Sequence, residues 1–534
     1  MSVAPRLFLT VWIIYLLHFA TNVVRETYLA ITLGERFSVR VDEYLGLHPD
    51  LFEISGRGAY INNNPGASML GALPYAVARP MIAGILRAKP ELARPKPDAV
   101  YDDPRPNRTR FMNEARARGL DVKLALAAAS MHAGLMAPLG GLAAVVMFLF
   151  LRVRLGDQRR ALWLALLYAL GTPVFFRSGF LNQNAIIAHC VLFAFVLLAW
   201  PRPARRAGSG PPPDFEDGLG VPVSSHPSAA IAIESAPPAH ALVGAGALMG
   251  FAVLSDYSGV PLIVAFGLWA IWIGWSRGAA AGALRAGALF SLGAIGPMVL
   301  LLAYQWAAFG HPLFPAQRYM PPTRYSVYGW NGMTLPTAEL LVRNLFDPRY
   351  GLFVFCPMLV AALAAPFLRG RPDRLARAAR LARGELALIF GATIALLLFS
   401  SANQFALLQW NTGVRYMVPA APLLFLALVS VLLRAPAAVI GLLVVPTVVV
   451  SWSVAMAREA VPVSLARIFA GGFELPWLRT LEVTADAYAP FVRQGTSPLP
   501  LFCLAAVVLW LVWRRLPRAA LIAGDASPGS PTSR

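Results

Sequence analysis

The sequence predicts an all-α polytopic membrane protein, a transmembrane bundle of about 11–13 helices. Three observations carry that prediction. Hydrophobic residues make up 57% of the 534 and charged residues only 14%, whereas a soluble chain carries about a quarter charged. Apolar runs long enough, or nearly long enough, to cross a bilayer recur from one end to the other. The short loops between them alternate between arginine-rich and arginine-poor, as the positive-inside rule requires.

The runs fall at 7–24, 124–151, 161–176, 183–200, 241–255, 258–275, 284–308, 352–368, 385–401, 417–433, 435–456 and 499–513. Leu7–Val24 has a weak positive start and no small-residue cleavage site, so it reads as a signal anchor. With the N-terminus inside, the inner loops carry Arg152, Arg154, Arg159 and Arg160, then Arg202, Arg205 and Arg206, then Arg277 and Arg285. Loop 369–383 adds six arginines, and Arg514, Arg515 and Arg518 flank the last span. The short outer loops carry little beyond Arg177 and Arg415. Both termini are therefore expected in the cytoplasm. Counting 67–86 as a span would invert every later loop, so it is expected to lie on, or dip into, the outer surface.

The expected organisation is a membrane half over 1–200 with external loop 25–122, a Pro/Gly/Ser-rich cytoplasmic linker over 201–240, and a second membrane half over 241–520. External loops 309–350 and 457–498 belong to the second half, and the tail 521–534 is expected to be disordered. The net charge of +19 invites a nucleic-acid partner. That is excluded here, because the basic residues are nearly all arginines beside spans, where they fix orientation and meet lipid headgroups. Cys190, Cys356 and Cys503 lie in apolar runs and suggest neither disulfide nor metal framework. The bias toward arginine and alanine points to a bacterial source.

On this topology the polar residues are lopsided. His18, Asn22, His132, His189, Asp256, Gln305, Asn403, Gln404 and Arg415 all fall in or near the outer halves of the spans, and the inner halves are almost wholly apolar. Polar groups at membrane depth usually face a cavity. A lipid-glycan transporter or flippase requires polar lining through the full depth and shows inverted repeats, and neither is visible. An outward-facing site reached by a lipid-borne substrate fits better. A non-catalytic assembly factor that keeps such a fold is the remaining alternative.

The segment from Arg25 to Pro80 holds the adjacent acids Asp42 and Glu43, followed by GRGAYINNNPGASMLGALPYA. Further along come His189 in NQNAIIAHC, Asp256-Tyr257, FGHPLFPAQRY at 309–319, LFDPRYGLFVFCP at 345–357 and WNTGVRYMVPAAP at 410–422. This ordered set resembles the bacterial GT-C glycosyltransferases related to protein O-mannosyltransferases and lipid A aminoarabinose transferase. The resemblance implies a GT-C-like bundle with a helical first external loop, in a bacterial plasma membrane. It also implies a polyprenyl-phosphate-linked sugar donor and a glycan, lipid or protein acceptor of the cell envelope. Two departures stand out: Asn64 replaces the lysine common before the Pro-Gly, and Asn411-Thr412-Gly413 replaces a double glycine.

In that frame Asp42, followed by Glu43, is the expected general base toward the acceptor hydroxyl, with Asp50 or Glu53 in reserve; ion pairing with Arg36 or Arg40 is the bland alternative. Arg318 and Arg415 are expected to hold the lipid phosphate, which a guanidinium does bidentately. Tyr319 and Tyr416 would line the same pocket, although interfacial aromatic belts are common; Tyr60, with Pro65-Gly66, matches the tyrosine and Pro-Gly of the family's pattern, and the resemblance implies a substrate contact there. His189 is balanced between a phosphate or sugar contact and helix packing. Asp256 is balanced between a sugar contact and an ion pair. Asn64, in its Asn-Pro-Gly setting, is first a turn residue and second a ligand contact. His18 and His132 read as packing residues. No spacing indicates a metal site, and a bound divalent ion stays open.

Overall fold

A computed structural model describes residues 2–98, 100–101, 106–201, 237–368, 380–409, 414–484 and 497–514. Most of the expected linker, the arginines of 369–379, the Asn411-Thr412-Gly413 segment and the tail 521–534 lie outside these residues. The protein is an all-α polytopic membrane protein.

Helix α1 (Val3–Leu17) opens the chain and is shorter than the apolar run that encodes it. Its end is set by polar groups: His18 Nδ1 bonds to the Ile14 carbonyl at 2.7 Å, and the Ala20 amide donates to the Gly179 carbonyl at 2.7 Å. Residues 18–24 thus cross one end of the bundle rather than extend the span. Helix α2 (Arg25–Arg36) follows, with most of its residues buried. Strands β1 (Leu51–Ile54) and β2 (Gly58–Ile61) pair antiparallel, Leu51 opposite Ile61. The loop was expected to be helical, and this hairpin is the departure. Its cause is local: Gly56 and Gly58 take φ of +74° and +111°, which only glycine adopts freely, between two short β-prone runs.

Asn64-Pro65 then turns the chain into α3 (Gly66–Ala88), which packs on α2. By length and composition α3 is able to cross a membrane. Next come α4 (Pro106–Ala117), α5 (Asp121–Met131) and α6 (Ala137–Leu155), the last two joined through one π turn at His132–Met136. Helices α7 (Gln158–Gly171), α8 (Pro173–Arg177) and α9 (Gln183–Ala199) complete the first half. Asp157 and Asn182 cap α7 and α9, each accepting a backbone amide three residues on.

Helix α10 (Ala239–Ser255) packs along α9 and along α11 (Gly259–Phe309). The latter is two arms folded at Gly278 and Ala279, in agreement with the two runs expected there. The α10–α11 contact is backbone-close: a Cβ on Gly246 would sit 1.9 Å from the Phe290 carbonyl oxygen. Small residues allow such approach where lipid supplies no hydrophobic drive between helices. Helices α12 (Ala338–Phe346) and α13 (Leu352–Phe355) lead into a 3₁₀ stretch, Pro357–Phe367, in place of the regular span expected at 352–368. Pro357 and Pro366 bracket that stretch, and each removes a backbone donor. Helices α14 (Arg383–Ala402), α15 (Ala421–Leu432), α16 (Ala437–Ala457), α17 (Val461–Gly471), α18 (Pro476–Thr484) and α19 (Leu499–Trp513) finish the described chain.

Almost every residue of helices α9 and α15 is buried, so they form the centre of the bundle. Trp163, Trp272, Leu268, Leu504 and Trp510 point outward and supply a surface suited to lipid. Arg154 at the end of α6 makes a two-pronged bond to Glu385 at the start of α14, at 2.9 and 2.7 Å. These two helix ends therefore lie at one end of the bundle, as the alternating loops require.

Candidate functional site

At the other end, the start of α2, the β-hairpin and the start of α9 bring charged residues together beneath the surface. Arg25 is the first residue of α2. Its guanidinium lies 3.1 Å from Glu26 Oε1 and bonds to Asp50 on its far side. Asp50 immediately precedes β1, and its carboxylate accepts from the Asn62 amide group at 3.1 Å. Glu26 is only 2% exposed and accepts from Asn63 Nδ2 at 2.7 Å. With its amide oriented by these neighbours, Gln183 of α9 donates to Glu26 at 3.2 Å and accepts from Arg25 at 3.3 Å. One buried guanidinium is thus shared by two carboxylates.

His48 closes the cluster. Its Nδ1 accepts the Asp50 amide at 3.1 Å and lies 3.8 Å from the Asp50 carboxylate. Burial, and then the neighbouring arginines against the pull of Asp50, lower its pKa, so the ring is neutral at pH 7. For Asp50, burial acts to raise the pKa, but Arg25 above all, then His48 and Arg415, bring it down to about 2. Because the folded value is below the ordinary one, Asp50 contributes stability above about pH 4, the unfolded carboxyl range. That contribution falls away as pH drops through about 2. The hydrogen-exchange protection factors of the 51–61 hairpin, corrected for the intrinsic pH dependence of exchange, are expected to be constant from neutral pH down to roughly 5 and to fall below about 4. Equal protection at pH 7 and pH 3 would sink the assignment.

Arg415 reaches the cluster from the segment before α15. The backbone amides of Arg415 and Tyr416 both donate to Gln409 Oε1, at 3.1 and 3.0 Å, and Gln409 is anchored on Asn344 at 3.0 Å. The Arg415 guanidinium lies over the Tyr416 ring, 5.2 Å from its centroid. Its charge acts on His48, Asp50 and Arg177, and the Tyr416 hydroxyl in turn feels Arg25, Asp50 and Asp256. Asp256, in the turn between α10 and α11, accepts the Ser258 amide at 2.8 Å. Asn64 donates to the Val253 carbonyl at 2.7 Å, which ties the hairpin's exit to the end of α10.

Beside this cluster is an aromatic patch. The Phe309 ring takes Tyr60 edge-on at 5.6 Å and Tyr319 stacked at 5.2 Å. Arg318 lies over Phe314, 4.3 Å from its centroid. Gln317 donates to the Asn62 carbonyl at 2.9 Å, so loop 310–319 is fastened to the hairpin.

The structure therefore brings Arg415, Tyr416 and Asp256 together with the reserve acid Asp50, and Tyr60 together with Tyr319. Asp42, Glu43 and His189 stand apart. Asp42 accepts the Ala59 amide at 2.6 Å, pairs with Arg40 at 2.9 Å and is nearly half exposed, its side chain 47% open. Burial acts to raise its pKa, but the Ala59 amide and Arg40 together hold its carboxyl below the ordinary range. Glu43 lies 3.3 Å from Lys123 and 3.6 Å from Arg36. Lys123 also pairs with Glu35, which takes the Tyr75 hydroxyl at 2.6 Å, so this set clasps α2, α3 and α5. His189 is buried in α9 beside Phe193, and among the described residues neither ring nitrogen has a hydrogen-bond partner. His18 and His132 bond to backbone carbonyls, of Ile14 and Tyr15.

Arg25, Glu26, Asn63, Arg177 and Gln183 were not singled out from the sequence. A usable signal existed: Arg25-Glu26 follows the first apolar run without a spacer, and Leu-Asn-Gln-Asn opens the fourth. Among the described residues no group of three or more His, Cys, Asp or Glu side chains is arranged to hold a metal.

No family model and no curated protein matches this chain. Among solved structures it is similar to the archaeal oligosaccharyltransferase AglB from Archaeoglobus fulgidus, determined with an inhibitory peptide and a dolichol-phosphate. The likeness has 14% identity and a TM-score of 0.38, over 99% of this chain and 61% of that protein. The chain thus spans less than two thirds of that protein's length.

Proposed function

We propose that the protein is a membrane glycosyltransferase of GT-C type, moving a sugar from a polyprenyl-phosphate donor to a cell-envelope acceptor at the outer face of a bacterial plasma membrane. The observation that carries this reading is the convergence of Arg25, Asp50, His48, Arg415, Tyr416 and Asp256 at one end of the bundle. The motif order noted in the sequence supports it.

In this reading Arg415 and Arg25 hold the lipid phosphate, Asp256 and Tyr416 contact the sugar, and Tyr60 and Tyr319 flank it. A carboxylate takes the proton of the acceptor hydroxyl, the acceptor oxygen bonds to the anomeric carbon, and the bond from that carbon to the phosphate oxygen breaks. Polyprenyl phosphate leaves with the electron pair. Asp50 is better placed than Asp42 for the proton, because it adjoins the arginines and is mostly buried. Its proton affinity is low while Arg25 is paired with it. A phosphate that draws Arg25 away would restore its basicity, which couples donor binding to activation of the base.

The test is turnover of a radiolabelled polyprenyl-phosphate sugar by the purified protein in vesicles, with envelope extract as acceptor. Arg415→Gln removes one charge-assisted contact, commonly 1.5–3 kcal/mol, and is expected to raise the donor KM by roughly 10–100-fold. Sugar-lipid that crosses the vesicle membrane intact, with no sugar transferred, would replace this reading by transport.

A further inference from the structure

After α16 the chain folds back at the end of the bundle that carries the proposed site. Arg458 makes the corner: its backbone is left-handed, at φ 61° and ψ 35°, an uncommon conformation for a residue with a side chain. Its side chain donates to the Phe176 carbonyl, next to Arg177, whose charge acts on that of Arg415. Helix α17 follows, with Pro462 in its first turn. Val461 and Ser464 face inward and are buried, and the Ser464 hydroxyl donates to the Glu459 carbonyl at 3.0 Å. Gly472, at φ 87°, stops the helix. Helix α18 then meets the end of α1, where Trp477 Nε1 donates to the Leu17 carbonyl at 3.1 Å.

The outward side of α17 is apolar. Pro462, Val463, Ala466, Phe469 and Ala470 are all exposed, and spacings of three and four put them on one side of a helix. Phe469 is 76% open, and Phe473, just past the helix, is 58% open. Arg467, the one charged residue of α17, is paired with Glu474. A contiguous apolar stripe of this kind marks a surface that is covered in use. What covers it follows from its neighbour. Phe473 meets Phe502 of α19 edge-on at 6.0 Å, and α19 turns Leu499, Leu504 and Trp510 outward. The stripe therefore continues the surface that a spanning helix shows to lipid. Phe502 is the fourth residue of α19, about 5 Å inside its outer end.

We propose that α17 is an interfacial helix whose partner is the bilayer itself, docked in the outer leaflet with this stripe against the acyl chains. The depth of Phe502 agrees with the 5–10 Å or so to which interfacial helices bury their apolar faces. Burial of the stripe carries the docking, and attraction of headgroups does not, because Arg467 already has its partner. Docking sets the height of the whole 457–484 segment. Through Trp477 it also fixes the point at which α1 ends and residues 18–24 cross toward Arg25. The inference stands apart from the glycosyltransferase reading.

The experiment is spin labelling of the full-length protein in phosphatidylcholine nanodiscs. Phe469→Cys and, separately, Ala466→Cys are made together with Cys503→Ser, since Cys503 is exposed whereas Cys190 and Cys356 are buried. Ser55→Cys, at the exposed tip of the hairpin, is the aqueous reference. Labels at 466 and 469 are expected to collide more often with oxygen, which concentrates in lipid, than with a water-soluble nickel chelate. The label at 55 should show the reverse preference. Added phosphatidylglycerol should leave both results unchanged. More frequent collision with nickel at 466 and 469 puts the helix in water and overturns the proposal. Exclusion of both reagents, or spin–spin broadening between two copies, means that protein covers the stripe and overturns it equally. An oxygen preference that appears only with phosphatidylglycerol assigns the docking to headgroup charge, which also overturns it.

Discussion

Asp50→Asn is expected to reduce sugar transfer by about 10²–10⁴-fold, the usual span for loss of a positioned acid–base group. The substitution keeps the shape and the bond from Asn62, but it removes the partly solvent-accessible carboxylate that pairs with Arg25 and adjoins His48. Asp50→Glu should restore part of the rate, because it returns a carboxylate to the same partners. Glu26 is a poorer candidate, since it is 2% exposed and saturated by Arg25, Asn63 and Gln183. Asp42→Asn is expected to leave most of the rate, because Asp42 is engaged with Arg40 and the Ala59 amide. The reverse pattern, with Asp42→Asn inactive and Asp50→Asn active, would return the role of base to the adjacent acid pair. To separate a catalytic from a structural effect, donor affinity should be measured in the same variants. A base is needed for turnover, so its loss should lower kcat far more than it weakens binding.

Glu385→Ala should destabilise the folded protein by about 3 kcal/mol, the low end of the cost of leaving a buried charge without its partner. Glu385 is almost fully buried, its side chain 2% exposed, and its two oxygens receive both prongs of Arg154. It also accepts the Ala382 amide at 2.8 Å at the start of α14. Arg154 retains a little access to solvent, at 13%, which holds the cost to that lower end. Thermal unfolding in detergent reports the loss, and the paired replacement Arg154→Met with Glu385→Met should recover most of it. A single variant as stable as the parent would show that the pair adds nothing to holding α6 against α14.

Much of the bundle was legible in the residues. The runs at 183–200, 241–255, 385–401 and 435–456 correspond to α9, α10, α14 and α16 within a few residues. The fold at Gly278 was visible as an arginine-bearing gap between two apolar runs. Where the expectation departs from the structure, a local device is responsible. Residues 18–24 leave the helix because His18 and Ala20 find other partners. Prolines turn 357–367 into a 3₁₀ stretch. The site was only half legible. Arg415, Tyr416 and Asp256 stood out because polar residues near the ends of apolar spans are conspicuous. Arg25 and Glu26 did not, because an acid beside a base at a span end looks like an ordinary interfacial pair.

The sequence by itself determined the class of the molecule, since the length and spacing of apolar runs leave a bilayer-spanning helical bundle as the solution that satisfies every backbone group. It also determined that the polar residues gather toward one end. Only the tertiary structure decided which acid stands among the arginines. Asp42 and Asp50 are eight positions apart in one loop, and the hairpin between Leu51 and Ile61 sends the first toward Arg40 and the second toward Arg25. That choice depends on pairings across the chain, Asn62 with Asp50 and Gln183 with Glu26, and such long-range contacts leave no periodic mark in the order of residues.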